Sequence, residues 1–560
     1  METRPWHRHY DYNVPITIRY PRIAAQTFFQ LAAGTFPDRP ATNFYGTELT
    51  FWQLREQMLR MANALGTLGV KKGDRVGIHL PTCPQSVIAY LATLSLGGIV
   101  VNLNPLASAS ELKFIIETTA LETLITFDMM LANIRTSAKE AGVKRVIVTR
   151  VTDYITGFGV STAKELDLEE GWRHFSELIA GNAETRLPRV PFAPDDPALI
   201  QFTGGTTGVP KGALLTHANI VAATLQASLW GNPTIGITPV ERRNVLSVLP
   251  YFHVYGNIVC MNWAFFNCAT QILVPRFEID ELLGIIGNFE KIFFFPTVPT
   301  LITALINHPK AAALNLDKRL GLLMSGAAPM PVELIEKVQA MGIYFSEGYG
   351  LSESTSLGIS NPVLGMKKVG SIGIPFPDND VRLVDVDNGT TDVKPGDPGE
   401  IIMKGPLIMK GYWNNPAETA GQLRDGWLHT GDIAQADEDG YLFIVDRKKD
   451  MIIAGGFNIY PREIDEVLYQ HPKVSEAVCL GIPDEYRGET VKAFVVLKPG
   501  ETATAEEIID FCKAKLTKYK VPTVVEFREG LPKSVIGKIL RKILRQEEME
   551  KSGKGKKGKP

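Results

Sequence analysis

The residues most able to do chemistry lie in one short run, Thr203-Gly204-Gly205-Thr206-Thr207-Gly208-Val209-Pro210-Lys211-Gly212, between apolar runs at 198–202 and 213–215. Glycines let backbone N–H groups turn toward a ligand, threonine hydroxyls add donors, and Lys211 adds a point charge. Together they suit a polyphosphate. The spacing departs from that of a P-loop, which needs Gly-x4-Gly-Lys followed by Ser or Thr at a helix start. Here Pro210 precedes Lys211, Gly212 follows it, and the next run reads as a strand. A glycine-rich hairpin without a ligand is the alternative for this run taken alone.

Six more runs follow in order: Pro250-Tyr251-Phe252-His253, Ser325-Gly326-Ala327-Ala328-Pro329, Gly348-Tyr349-Gly350-Leu351-Ser352-Glu353, Thr430-Gly431-Asp432, Asp446-Arg447-Lys448-Lys449-Asp450 and Pro532-Lys533-Ser534-Val535-Ile536-Gly537-Lys538. With the glycine loop they resemble the motifs of the adenylate-forming superfamily, which contains acyl-CoA synthetases, firefly-type luciferases and peptide-synthetase adenylation domains. The resemblance spans roughly residues 20–545.

The resemblance implies a reaction in two halves. A carboxylate attacks the α-phosphorus of ATP to give an acyl-adenylate, and the thiol of coenzyme A then displaces AMP. Bringing an anion to a polyanion requires charge screening and alignment. On this reading Thr203, Gly204, Gly205, Thr206, Thr207, Gly208 and Lys211 close over the phosphates. Glu353 anchors Mg²⁺, which favours one or two carboxylates plus phosphate oxygens and water. Tyr349 offers a flat face to adenine, with Gly326, Ala327 and Ala328 as the opposite wall. Glu347 and Gly348 border the purine, Ser352 reaches the α-phosphate, Asp432 accepts from the ribose hydroxyls, and Arg447 contacts ribose or phosphate. His253 borders the acyl pocket, a buried core histidine being its alternative. Gly455, Gly456 and Phe457 match the loop that admits CoA, and Lys449 is the hinge pivot. Lys538, read as an exposed loop lysine, bridges the substrate carboxylate and the α-phosphate. Ile453 stands where several long-chain synthetases of this type carry a nucleotide-contacting lysine.

Positioning such residues needs a large scaffold. Apolar runs alternate with helical patterns from about 40 to 380, as in parallel sheets covered by helices. A strand at 75–80, a helix at 84–96 and a strand at 99–104 read as one buried βαβ unit. From about 372 to 445 shorter runs and Gly-Pro-Asp turns indicate a small β-rich subdomain. The expected fold is α/β: an N-terminal adenylation domain over 1–446, a small mobile α+β domain over 447–545, and a disordered Lys/Gly tail over 546–560.

Composition excludes several classes. At 560 residues the chain is too long for one core. Its net charge of −2 gives no general pull toward nucleic acid or anionic membrane. The five cysteines form no CxxC pair and the histidines no HExxH, as expected of reduced core thiols in a cytoplasmic protein. Two uncharged stretches, 76–110 and 244–275, are broken by Pro and Gly, so no transmembrane segment is expected, and at most peripheral membrane contact. The N-terminus shows no apolar signal region. A monomer or homodimer is expected.

Walls at 292–305, 325–329 and 350–356 are apolar and carry no arginine for a second carboxylate. They favour a medium- to long-chain fatty acid, with an aryl or cinnamate-type acid as the alternative. Two other classes are transfer of the acyl group to a carrier protein and a binding module without catalysis. No carrier domain follows Lys538, and both the glycine loop and Lys538 are intact.

Overall fold

The computed structural model describes residues 4–155, 168–203, 210–454, 457–484, 486–534 and 537–551. Two sheets build the large domain. The eight-stranded sheet holds Arg75–His79, Ile99–Asn102, Thr123–Phe127 and Arg145–Thr149 in parallel, with Pro197–Thr203 parallel to Ile99–Asn102. The nine-stranded sheet runs parallel through Pro40–Phe44, Thr270–Leu273, Asn244–Ser247, Ile292–Thr297, Leu320–Ser325 and Tyr344–Leu351.

Local chemistry explains the βαβ unit read in the sequence. Pro84 opens the helix Pro84–Ser95 with its φ already helical, and every residue of that helix is buried. A helix apolar on all sides belongs between layers, which is where this one lies. Gly97, at φ +68°, then turns the chain into Ile99–Asn102. The uncharged stretch 244–275 folds as Asn244–Ser247, a π-helix at Gly256–Asn262, Trp263–Phe266 and Thr270–Leu273. Among the described residues no helix is long and apolar enough to cross a membrane. All five cysteines are free and four are buried.

The run from 372 to 447 holds a five-stranded sheet of Asp380–Val384, Gly399–Lys404, Leu423–Arg424, Trp427–Ala436 and Leu442–Arg447. It is stitched to both large sheets. Ile374–Pro375 extends the nine-stranded sheet, and Gly411–Tyr412 pairs with Lys211–Thr216 on the edge of the eight-stranded one.

After residue 447 a fourth sheet, of five strands, collects Ile452–Ala454, Phe457–Ile459, Val474–Asp484, Gly488–Leu497 and Val524–Phe527. The helices Pro461–Tyr469 and Ala505–Lys513 close its own core around Ile464, Leu468, Ile508 and Cys512. The last helix, Arg541–Lys551, continues past residue 545, where the tail was expected to begin. Buried Leu544 and ion pairs from Glu547 to Arg528 and from Glu548 to Lys492 hold it to the sheet. Composition alone misses such pairing, because the partners lie in distant strands.

Candidate active site

Ile292–Thr297, Leu320–Ser325 and Tyr344–Leu351 are in register, so Thr297, Ser325 and Glu347 lie side by side at the carboxyl end of the sheet. Ligands of open α/β sheets bind at that end. The chain leaving it carries Thr300, the Gly326-Ala327-Ala328 turn and Gly348-Tyr349. Gly326 is packed on Tyr255: a β-carbon there would meet two ring carbons at 3.1 Å. Ala327 sits at φ +65°, a left-handed turn that costs an L-residue about 1 kcal/mol. A bulge then re-aims Tyr349. Its pairing with Ser356–Ser360 shifts register between Tyr349 and Gly350, and a β-carbon on Gly350 would lie 1.6 Å from the Ser356 carbonyl oxygen.

The Tyr349 hydroxyl donates to Asp432 Oδ2 at 2.7 Å, and Arg447 Nε meets Oδ1 at 2.9 Å. Asp432 is buried, and its N–H donates to Thr430 Oγ1 at 3.1 Å. This locks Thr-Gly-Asp, which lies within the strand Trp427–Ala436 and not in the turn expected from sequence, to the Tyr349 strand. Glu347 is buried as well. Its Oε1 accepts the Met330 N–H at 3.3 Å, while Oε2 has no partner. Burial pushes this carboxyl up to about 7, against the opposing charge of Arg462. Ser352 and Glu353 are half-buried in the turn that follows the bulge.

Thr203 and Lys211 pair across the hairpin of Pro197–Thr203 and Lys211–Thr216. Gly204, Gly205, Thr206, Thr207 and Gly208 lie outside the described residues, as do Gly455 and Gly456; Phe457 is described for its backbone only, at the start of a strand. Lys211 forms an ion pair with Glu418 and lies 5.5 Å from the Tyr412 ring centre. The Tyr412 hydroxyl donates to Glu353 Oε1 at 2.7 Å. The foot of the glycine loop and Glu353 therefore share one wall. Tyr412 escaped sequence reasoning because its strand joins a distant sheet edge.

His253 follows Asn244–Ser247 in the same crevice. Its Nδ1 accepts the Tyr255 N–H at 3.2 Å. Burial and then the Lys538 charge lower its pKa to about 4. At neutral pH the ring is uncharged, and the proton resides on Nε2.

Lys538 comes from the other domain. The Ser534 N–H donates to the Lys538 carbonyl at 2.8 Å, the Lys538 N–H to Ser534 Oγ at 3.1 Å, and the Leu540 N–H to the Pro532 carbonyl at 2.8 Å. This tight hairpin inserts its lysine between domains, so the expectation of an exposed lysine is corrected: Lys538 is half-buried. The Arg447 guanidinium, then burial, draw its pKa down to about 7, with Asp432 opposing. Lys538 beside Arg447, with Asp432 already paired to Arg447, leaves an excess of positive charge that a polyanion would relieve.

The hinge candidates divide between domains. Lys448 reaches Glu400 at 3.3 Å on the large domain, while Asp446 accepts the Arg462 N–H at 2.7 Å and Asp450 faces Arg545 at 3.5 Å in the small one. Lys449, between them, is exposed. Ile453 is also exposed, and its N–H donates to Glu489 Oε2 at 2.8 Å.

This arrangement agrees with what comparison finds. The AMP-binding enzyme profile matches residues 29–413, and the profile of that enzyme's C-terminal domain matches 463–538. The chain belongs to the AMP-binding enzyme family. It is 41% identical to the long-chain-fatty-acid–CoA ligase of Bacillus subtilis over 98% of both chains. A feruloyl-CoA synthase of Amycolatopsis is 34% identical over 91% of this chain and 96% of its own. Among solved structures, ATP-bound MatB from Rhodopseudomonas palustris superposes with a TM-score of 0.81 at 28% identity, covering 94% of this chain and 99% of its own. An anthranilate–CoA ligase holding anthranoyl-AMP gives 0.84 at 25% identity, covering 95% and 98%.

Proposed function

We propose that this AMP-binding enzyme activates medium- to long-chain fatty acids, first to the acyl-adenylate with release of pyrophosphate and then to acyl-CoA with release of AMP. One observation carries the reading: the lysine of the small domain lies among His253, Asp432 and Arg447, where an incoming carboxylate and an α-phosphate would meet. The near full-length likeness to bacterial long-chain ligases supports the acyl class.

In the first half-reaction Tyr349 and the Gly326-Ala327-Ala328 turn sandwich adenine, and the unpartnered Glu347 Oε2 accepts from its amino group. Asp432 holds the ribose, Ser352 and Arg447 approach the α-phosphate, and Lys211 with the loop of Thr203, Gly204, Gly205, Thr206, Thr207 and Gly208 holds the outer phosphates. Lys538 draws the two anions together, and the neutral His253 donates from Nε2 at the acyl mouth. Among the described residues no group of three or more His, Cys, Asp or Glu could hold a metal alone. Mg²⁺ carried in by the nucleotide would be met by Glu353, where it would screen phosphate charge. For the second half-reaction the small domain turns about Lys449 and presents Gly455, Gly456 and Phe457 to the pantetheine thiol.

Product analysis tests the reaction. With ATP, Mg²⁺, CoA and a panel of acids from acetate to stearate, plus benzoate and ferulate, AMP and pyrophosphate should form, most rapidly with the longer aliphatic acids. Each buried CH₂ adds about 0.8 kcal/mol of binding. ADP and phosphate as products would contradict the class, and preference for the aryl acids would contradict the substrate.

A further inference from the structure

The hairpin that carries Lys538 meets the large domain at one very tight place. Gly537, at φ +72°, lies against Thr300 in the first turn of the helix Pro299–Asn307. A β-carbon on Gly537 would sit 2.1 Å from Thr300 Oγ1 and 3.1 Å from its Cβ. No side chain fits there, so backbone is pressed directly onto the threonine. Neighbouring geometry makes this contact a stop and not a chance touch. The described arms of the hairpin are tied to each other at Pro532–Leu540 and Ser534–Lys538. Its far end is fixed as well: Leu531 and Ile539 pack with Val478, Leu480 and Phe494. Arg541 donates to the Cys479 carbonyl at 3.2 Å and pairs with Asp465. Thr300 is equally fixed, since its helix leaves the Ile292–Thr297 strand through Val298 and Pro299 at the carboxyl end of the nine-stranded sheet. An anchored arm and an anchored wall touching one residue before the lysine set how far the lysine enters the crevice.

We propose that Thr300 is a positioning residue, the seat on which Gly537 of the small-domain hairpin rests so that Lys538 reaches its place in adenylation. The proposal rests on the reading of Lys538 given above. Because the contact joins two domains on opposite sides of the hinge, it exists in this orientation only, and rotation breaks it. Thr300 serves the first half-reaction and has no part in the second.

A double-mutant cycle tests the seat, with Gly537→Ala, Thr300→Ala and the pair assayed by single-turnover adenylation and, separately, by conversion of supplied acyl-AMP and CoA. Gly537→Ala alone should slow adenylation by more than about 30-fold, through the clash and the left-handed φ together. Adding Thr300→Ala removes the nearest atom and should restore about 10-fold of that loss, the φ strain remaining. The thioester step should change by less than about 3-fold in all three proteins, a range set by ordinary surface substitutions. Additive losses in adenylation, or equal losses in both half-reactions, would overturn the seat. Lys538→Ala run in parallel separates the failures. If it leaves adenylation intact the reading of Lys538 falls, whereas if it abolishes adenylation while the cycle is additive, only the seat falls.

Discussion

Lys538 and His253 show how two basic groups are tuned to different ends in one crevice. His253 is held neutral, its pKa lowered to about 4 by burial and by Lys538, and so acts as a hydrogen-bond donor across the whole physiological range. Lys538 half-titrates at about 7, chiefly because Arg447 lies beside it. The cationic form is the one that can hold two anions, so a rising pH removes the active form of the free enzyme. In adenylation, kcat/KM for ATP should therefore sit on its plateau below about pH 7 and fall above it, since that ratio reports groups of the free enzyme. Lys538→Arg keeps its charge at every pH in this range and should lack the part of the fall that Lys538 contributes, at a lower plateau. Glu347 also titrates near 7, but its contribution is common to both proteins. A limb of equal size in Lys538→Arg would assign the titration elsewhere.

Elements place these groups through unusual backbone more than through regular structure. The bulge at Gly350 turns Tyr349 toward Asp432, and nothing larger than glycine fits against the Ser356 carbonyl. Gly350→Ala should cost at least about 3 kcal/mol, the upper range for overpacking, and raise the KM for ATP. A lowered melting temperature together with weaker ATP saturation checks it; an unchanged melt would mean the bulge relaxes freely. The regular elements were legible from residue patterns. The strand at 75–79, the helix at 84–95 and the strand at 99–102 lie where the apolar pattern puts them, because full burial leaves a readable mark. Motif residues such as Asp432 and Tyr349 were legible as candidates. Their mutual hydrogen bond was not, since Asp432 and Tyr349 belong to different sheets. Tyr412 and Arg462 left no local signature, and Thr300 was read only as part of the 292–305 wall. Each acts through a partner far away in the chain, and only packing brings them to the site.

At the scale of the whole molecule, the charged run 446–450 divides its bonds between the two domains. Asp446 and Asp450 are tied to the small domain, Arg447 and Lys448 to the large one, and exposed Lys449 lies among them. Lys449→Pro fixes φ near −65° and removes the freedom to rotate there. It should leave adenylation within a few fold of the parent while slowing thioester formation at least about 10-fold, because domain closure can limit turnover. Equal slowing of both steps, measured separately, would place the pivot at another residue. The central claim is that Lys538 belongs to the first step alone and is carried away for the second. Single-turnover assays of Lys538→Ala test it most directly. Loss of a preorganised charge contact of this kind costs roughly 10²–10³ in rate, so acyl-AMP formation should fall by that factor, while supplied acyl-AMP and CoA should still give acyl-CoA at a rate close to that of the parent enzyme. Adenylation preserved within a few fold, or both steps lost together, would contradict the account.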